Sequence, residues 1–380
     1  MRIGIEAQRL FREHKHGMER VTLELIKNLQ EIDKQNEYFI FVKPNYDSSV
    51  FSLNTNFKII EIPSCPYPIW EQYFLPKYIK KYKCDLLHCT SSTAPLFINT
   101  PLLTTIHDII YLEKPIIKQL FSKASIHQKL GNLYRRLIVS KVIQKRNYFI
   151  TVSKFEKKNI TNYFNFNSKK IKVIYNGVSE IFCLNNNTVM SFPNNISLPE
   201  KYILHISNND PRKNTDKVLE AFCDYKLKTK NISKLVVLGM TSNELKNKLK
   251  YLKISNNHDD FFPIKYVSDE ELAIIYKYSE VFLFPSLREG FGLPVIEAMS
   301  CGVPVITSNS SSMPEISGNA AMLINPNNTN EICDGIIKIQ TDTNYKNELI
   351  QKGLKRSKQF TWNKMASEVL KFYNEINSLI

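Results

Sequence analysis

The chain has 380 residues, is 43% hydrophobic and carries a formal net charge of +15. That length suits two domains of about 150–200 residues each, and the composition excludes collagen-like, disordered and disulfide-scaffold classes. The 7 cysteines, odd in number and without a C-x-x-C pair, predict reduced thiols in a cytoplasmic setting and no zinc ribbon.

The charge is uneven. Residues 1–180 hold 28 Lys/Arg and 15 Asp/Glu, a net of +13, and the remainder holds 23 and 21, a net of +2. A concentrated positive field favours an anionic partner, against the plainer reading of a solvated lysine-rich surface. The start, Met1-Arg-Ile-Gly-Ile-Glu6, lacks a secretory signal pattern. No stretch reaches the ~18–20 apolar residues of a membrane span.

In chain order, short apolar runs alternate with longer mixed segments. The first half has Ile3–Ala7, Tyr38–Val42, Phe57–Ile62, Asp85–Cys89, Leu102–Ile106, Tyr148–Val152 and Ile171–Tyr175. The second has Tyr202–Ile206, Leu235–Leu238, Phe261–Val267, Val281–Phe284 and Pro304–Ile306. Continuous runs of this kind predict buried parallel strands. Helical patterns between them, such as Val21–Gln30 and Val218–Leu227, predict βαβ units and doubly wound sheets. Thr241-Ser-Asn-Glu244 and Ser268-Asp-Glu-Glu271 have capping-box spacing. Asn176–Lys201, rich in asparagine and with two prolines, predicts the domain junction. The expected domains are 1–185 and 186–361, with the helical pattern at 362–380 free to pack on either.

The segment Val281–Ile306 carries the strongest chemical signal. A strand runs into a loop with Gly290 and Gly292, and Pro294 then marks the first turn of a helix. Glycines admit close backbone approach, and a helix N-terminus offers unpaired N–H groups to a diphosphate. Glu289 and Glu297 bracket that pocket and could accept hydrogen bonds from ribose or sugar hydroxyls. The plainer alternative is an ordinary strand–loop–helix with a surface Glu289. Adjacent Arg212 and Lys213 after a strand suit a diphosphate as fork and point charge, or form a solvated basic pair. His107-Asp108 ends an apolar strand, where a His can shuttle a proton, donate a hydrogen bond or be structural. Lys114–Arg146 holds nine Lys/Arg and no Asp or Glu, interleaved with Ile, Leu, Phe and Tyr. Such a stretch can lie on an anionic membrane as basic amphipathic helices, or pack on the sheet with its charges in water.

The string "PSLREGFGLPVIEAMSCGVPVI" resembles the retaining glycosyltransferases of family 4, many of them polysaccharide mannosyltransferases, whose hallmark E-x7-E stands here as Glu289 and Glu297. The resemblance extends over the chain through "MRIGIEAQRL", "TTIHDIIYLEKP", "ITVSKFEKKNI", "IKVIYNGVSEIF", "YILHISNNDPRKNTDKVLEAF" and "VSDEELAIIYKYSEVFLFPS". It implies an α/β GT-B fold, two Rossmann-like doubly wound parallel-sheet domains facing across a cleft, with acceptor on the first and nucleotide-sugar on the second.

The resemblance further implies that Arg212 and Lys213 hold the donor diphosphate. Glu289 would contact the transferred sugar, Glu297 the ribose, and Gly290, Phe291, Gly292 and Leu293 would offer backbone. His107 and Asp108 would lie near the sugar, and Gly17, beside His16 in the first strand-to-helix loop, near the donor phosphates. That loop is poorer in glycine than the family's. Where many family members carry a further basic residue a few positions before the lysine, this chain has Ser207-Asn-Asn-Asp210, so Arg212 supplies that charge or it is missing. The implied reaction is hexose transfer to a glycan or lipid-linked acceptor. It proceeds by same-face displacement, with no cofactor and, in the absence of an Asp-x-Asp motif, no metal. GDP-mannose leads among donors, ahead of dTDP-rhamnose and UDP-sugars. Rival readings are a nucleotide-sugar epimerase of the same fold, a catalytically silent subunit and, lowest, a nucleic-acid binder. The expected location is cytoplasmic, peripheral at the inner face of the membrane.

Overall fold

The computed structural model describes residues 1–11, 17–44, 54–113, 126–145, 148–183, 198–208, 210–254 and 258–379. The chain divides into two compact units, Met1–Gly177 with Trp362–Ile380, and Val178–Thr361. The division falls at the beginning of the asparagine-rich stretch, ahead of the expected 185/186.

The first unit is built on a seven-stranded sheet in the order β3-β2-β1-β4-β5-β6-β7. Its strands are β1 (Arg2–Glu6), β2 (Glu37–Val42), β3 (Phe57–Glu61), β4 (Leu86–Cys89), β5 (Leu102–Ile106), β6 (Tyr148–Thr151) and β7 (Ile171–Val173). Every neighbouring pair is parallel. The strand order reverses between β1 and β4, and such switch points open a crevice at the carboxyl edge of the sheet. The inner strands β1, β2, β4, β5 and β6 are almost wholly buried, as parallel strands covered on both faces are, whereas the edge strands β3 and β7 are partly exposed. One side packs Phe39, Phe41, Trp70, Leu87, Ile106, Val139 and Phe149 into a single cluster.

The helix Trp362–Asn377 returns to this first unit and packs on the helix Gly17–Ile32. Its apolar face (Met365, Ala366, Val369, Phe372, Tyr373, Ile376) is buried. A buried polar contact fixes its register: Tyr373 Oη lies 2.7 Å from His88 Nδ1, and His88 Nε2 lies 2.7 Å from Thr105 Oγ1. Burial, with the nearby His107, lowers the His88 pKa to about 3, so the ring is neutral. On the rim, Lys172 Nζ reaches Glu375 Oε1 at 2.5 Å and sits over the Phe372 ring.

The second unit holds a six-stranded parallel sheet in the order β10-β9-β8-β11-β12-β13. The strands are β8 (Tyr202–Ile206), β9 (Lys234–Leu238), β10 (Phe261–Ile264), β11 (Val281–Phe284), β12 (Val305–Ser308) and β13 (Met322–Ile324). Its switch point lies between β8 and β11. Both capping boxes form, Thr241 with Glu244 and Ser268 with Glu271, and start the helices Ser242–Tyr251 and Asp269–Lys277. Gly239 ends β9 at φ +97°, where a Cβ would lie 2.1 Å from the Ser207 carbonyl oxygen. Only glycine lets these two strand ends close together beside the switch point.

Candidate active site

The residues singled out in the second unit gather on the two loops that flank its switch point. After β8 comes the one-turn helix Pro211–Lys213, capped by Asp210, whose carboxylate accepts the Arg212 N–H at 3.0 Å. The same carboxylate holds the Arg212 guanidinium at 2.8 Å from Nε and 2.6 Å from Nη2. Asn214 then turns left-handed (φ +59°). Its side-chain amide donates to the carbonyls of Pro285 at 3.1 Å and Pro326 at 2.6 Å. With Leu287 N–H donating to the Arg212 carbonyl at 2.8 Å, the β8 and β11 loops are laced together.

Lys213 consequently points across to the β11 loop. Its Nζ lies 2.7 Å from Glu289 Oε1 and 4.5 Å from the centre of the Phe284 ring, and both charged side chains are only 16% exposed. Beneath them, His205 on β8 bonds the Leu283 carbonyl and Thr215 Oγ1. Burial, opposed by the Leu283 bond and aided by Lys213, lowers its pKa to about 4. A neutral imidazole there adds no charge to compete with Lys213.

The Glu289 backbone is clasped from β12. Its N–H donates to Ser311 Oγ at 2.9 Å, and its carbonyl accepts from Ser311 Oγ at 2.7 Å and Ser312 Oγ at 3.0 Å. Ser312 Oγ also donates to the Phe291 carbonyl at 2.9 Å, while the Phe291 ring packs against Phe360. Ser311 itself sits at φ +62°, a left-handed conformation that costs a non-glycine residue about 1 kcal/mol or more. Gly292 (φ +111°) caps the helix Leu293–Ser300, with Pro294 in its first turn, and a Cβ there would lie 2.4 Å from Met313 Cε. Glu297 is buried within that helix, where its Oε2 accepts from the Tyr276 hydroxyl at 3.3 Å.

Thus Lys213, Glu289, Gly290, Phe291, Gly292 and Leu293 share one loop pair, Arg212 is turned onto Asp210, and Glu297 is packed beneath. Sequence reading missed Ser311, Ser312, His205 and Tyr276. The serine run after β12 signals a turn, but nothing local shows that it grips a loop 22 residues upstream.

In the first unit, His107 follows β5 and its Nε2 lies 2.9 Å from the Thr90 carbonyl, to which it donates. Burial lowers its pKa, against the Thr90 bond and Asp108. A small cavity, large enough for about one water molecule, lies against His88, Thr90, Thr105, His107, Met365 and Val369. Asp108 Oδ1 accepts from Ile110 N–H at 3.1 Å and so caps the turn Ile110–Glu113. Gly17 is the exposed first residue of its helix. His16 and residues 114–125 and 146 lie outside the described residues. Of the basic stretch, Ile126–Gln144 is helical. Among the described residues no group of three His, Cys, Asp or Glu is placed to hold a metal ion, and no helix is long and apolar enough to cross a membrane.

Two parallel α/β units, the second with a laced switch-point loop pair presenting Lys213 and Glu289 beside a glycine-started helix, define a glycosyltransferase of the GT-B fold. Residues 16–180 match Glycosyltransferase Family 4 and residues 186–356 match Glycosyl transferases group 1. The chain belongs to this family.

Among curated relatives, O-antigen chain mannosyltransferase B of Escherichia coli is 27% identical over 277 residues, 71% of this chain and 69% of its own. The serotype-specific mannosyltransferase WbdA of Escherichia coli is 25% identical over 236 residues, 60% of this chain but only 29% of that longer protein. The solved structure of Anabaena Alr3699/HepE in complex with UDP and glucose superposes with a TM-score of 0.72 at 15% identity, covering 98% of this chain and 99% of that one. At that identity the likeness concerns the fold.

Proposed function

We propose that the protein transfers a hexose, mannose from GDP-mannose first among candidates, to a glycan or lipid-linked acceptor of a cell-surface polysaccharide. The transfer retains the anomeric configuration and needs no divalent metal. The observation that carries this reading is the Lys213–Glu289 pair at the switch point of the second unit. Ligands of open α/β sheets bind there, and the two groups suit the two halves of a nucleotide-sugar. The O-antigen mannosyltransferase relatives support the mannosyl donor.

In this reading the diphosphate lies at the N-terminus of the helix Leu293–Ser300, within reach of Lys213. The Glu289 carboxylate, released from Lys213, accepts from sugar hydroxyls, Glu297 serves the ribose, and the loop 290–293 offers backbone. The bond from the anomeric carbon to the diphosphate oxygen breaks as the acceptor oxygen attacks from the same face. The departing diphosphate oxygen takes the acceptor's proton, and Lys213, Arg212 and the helix N-terminus stabilise its developing charge. The first unit binds the acceptor, and His107, Asp108 and Gly17 keep the sugar- and phosphate-contact roles that the family resemblance implies for them.

The test is a nucleotide-sugar panel (GDP-mannose, dTDP-rhamnose, UDP-glucose) read by thermal stabilisation, followed by product analysis by NMR. Expected are one stabilising donor, an anomer matching the donor's, and full activity in EDTA. An inverted product, or activity lost in EDTA and restored by Mn²⁺, overturns the mechanism. Donor conversion without any acceptor indicates an epimerase.

A second observation favours work at a cytoplasmic membrane face. Leu130, Leu133 and Leu137 form an exposed stripe on the helix Ile126–Gln144, opposite its buried Ile138, Val139, Val142 and Ile143. Nearby, Lys145 Nζ lies over the exposed Phe97 ring at 5.1 Å. Apolar groups flanked by lysines suit an anionic bilayer surface. Stronger sedimentation with anionic than with neutral vesicles, lost at high salt, is expected. Equal binding to both refutes electrostatic docking.

A further inference from the structure

The first unit has its own switch point, between β1 and β4, and polar residues that none of the roles above uses are concentrated at its carboxyl edge. Glu6 ends β1 and is buried. Its Oε1 accepts from Gln8 N–H at 3.1 Å, whereas its Oε2 is buried without a hydrogen bond of good geometry, the Ser91 side chain being the other neutral group that acts on the carboxyl. Leaving a buried acceptor unpaired is costly, and the cost disappears when a ligand supplies the donor.

The surroundings are stiff. Glu71 lies fully buried and accepts from Tyr67 at 2.7 Å, Thr93 at 2.5 Å, Gln72 at 2.9 Å and Tyr134. The loop after β4 is pinned at both ends: Thr90 Oγ1 donates to the Glu6 carbonyl at 2.8 Å, and Thr93 donates to Glu71. Between them Ser92, buried, holds a left-handed φ of +67°, backbone strain of the kind that accompanies binding sites. Through its carbonyl, Thr90 also holds His107. Glu6, the Thr90–Thr93 loop and His107 thus form one connected polar wall.

The charge pattern selects the ligand class. Two neighbouring carboxyl groups, with Arg9 the cation acting on Glu6, repel a phosphate or carboxylate. Burial and the Glu71 charge, opposed by Gln8 N–H, Arg9 and the Ser91 side chain, push the Glu6 pKa up to about 7. A neutral hydroxyl can serve such a group in either protonation state, as donor to the carboxylate or acceptor from the acid.

We propose that this edge is an acceptor subsite in which Glu6 Oε2 binds a hydroxyl of a neutral, polyhydroxylated sugar. The inference rests on the reading of the first unit as the acceptor-binding one, and adds the residue and the ligand class.

The experiment uses the full chain, the donor that stabilises it, and octyl glycosides of mannose, glucose, galactose and N-acetylgalactosamine as acceptors. At pH 8, where Glu6 is mostly ionised, Glu6→Gln, which keeps shape but puts an amide N–H₂ where an oxygen accepted, should raise the acceptor KM about 10- to 100-fold, the loss of one hydrogen bond to a charged group. The donor KM and the donor-induced thermal shift should stay at wild-type values. Glu6→Asp, which keeps the charge but retracts the oxygen, should give a smaller rise, and it carries the test if Glu6→Gln does not fold. An unchanged acceptor KM in the folded variants, an equal rise in donor KM, or a wild type that glycosylates none of these sugars overturns the proposal. If no donor stabilises the wild type, the transferase reading fails first, so the two failures are told apart.

Discussion

The two units use the same topological device and equip it in opposite ways. At the β8/β11 switch point a lysine and a glutamate compensate each other, and the surrounding loops are set by glycines and clasped by serines. At the β1/β4 switch point two buried carboxyl groups lie together, and one oxygen of Glu6 lacks a hydrogen bond of good geometry. A compensated pair tolerates an arriving anion by exchanging partners, which fits a diphosphate sugar. In the proposal above, a carboxyl edge with one unsatisfied oxygen disfavours anions and takes a neutral hydrogen-bond donor. The contrast separates a charged-ligand edge from a neutral-ligand edge on one architecture.

The largest expected effect falls on the second unit. Lys213→Ala and Glu289→Ala should each lower kcat/KM for transfer by about 10²–10³-fold, or ~3–4 kcal/mol. Because they contact each other, the double variant should lose less than the product of the two. Steady-state kinetics of the three variants would show additive losses if the pair did not act as a unit.

Next comes the pH dependence of the first unit. The Glu6 pKa is raised from 4.5 to about 7, so the folded state favours the protonated acid. That stabilisation is fully present below pH ~4.5 and lost as pH rises through ~7. Relative to Glu6→Gln, which cannot ionise, the wild type should lose up to about 3 kcal/mol over this window. Urea unfolding at pH 5 and pH 8 measures it, and a pH-independent difference contradicts the burial of an uncompensated carboxyl group.

Smaller effects test how rigidly each edge is built. Gly239→Ala meets the Ser207 backbone, whereas Gly302, also at positive φ, has nothing closer than 3.9 Å to a new Cβ. The first should cost about 2 kcal/mol or more and the second about 1 kcal/mol by denaturant unfolding. Tyr373→Phe deprives buried His88 of a partner and should destabilise the first unit by about 1 kcal/mol. No change would mean that the C-terminal helix is held by its apolar face alone.

Much of the fold was legible because buried parallel strands are continuous apolar runs. All twelve such runs are strands, and both capping boxes form where their spacing placed them. The edge strand β13 (Met322–Ile324) escaped notice although Ala320–Ile324 is itself a continuous apolar run; the strand is only three residues long and leaves Leu323 exposed. The glycine loop, Lys213 and Glu289 were visible as a local string. What they do to one another was not, because the lysine–glutamate bridge spans 76 residues and the serine clasp 22. Glu6 and Glu71 read as an ordinary strand end and an ordinary helical glutamate. Only the sheet order brings them to one switch point, and only burial reveals that Glu6 lacks a full set of partners.

The most direct measurement is calorimetric binding of the stabilising nucleotide-sugar, and of its free nucleoside diphosphate, to wild type, Lys213→Ala and Glu289→Ala. Lys213→Ala should weaken both ligands alike, because it removes a diphosphate contact. Glu289→Ala should weaken the nucleotide-sugar alone and erase its advantage over the free diphosphate. Wild-type affinity for both ligands in both variants would contradict a donor site at the β8/β11 switch point.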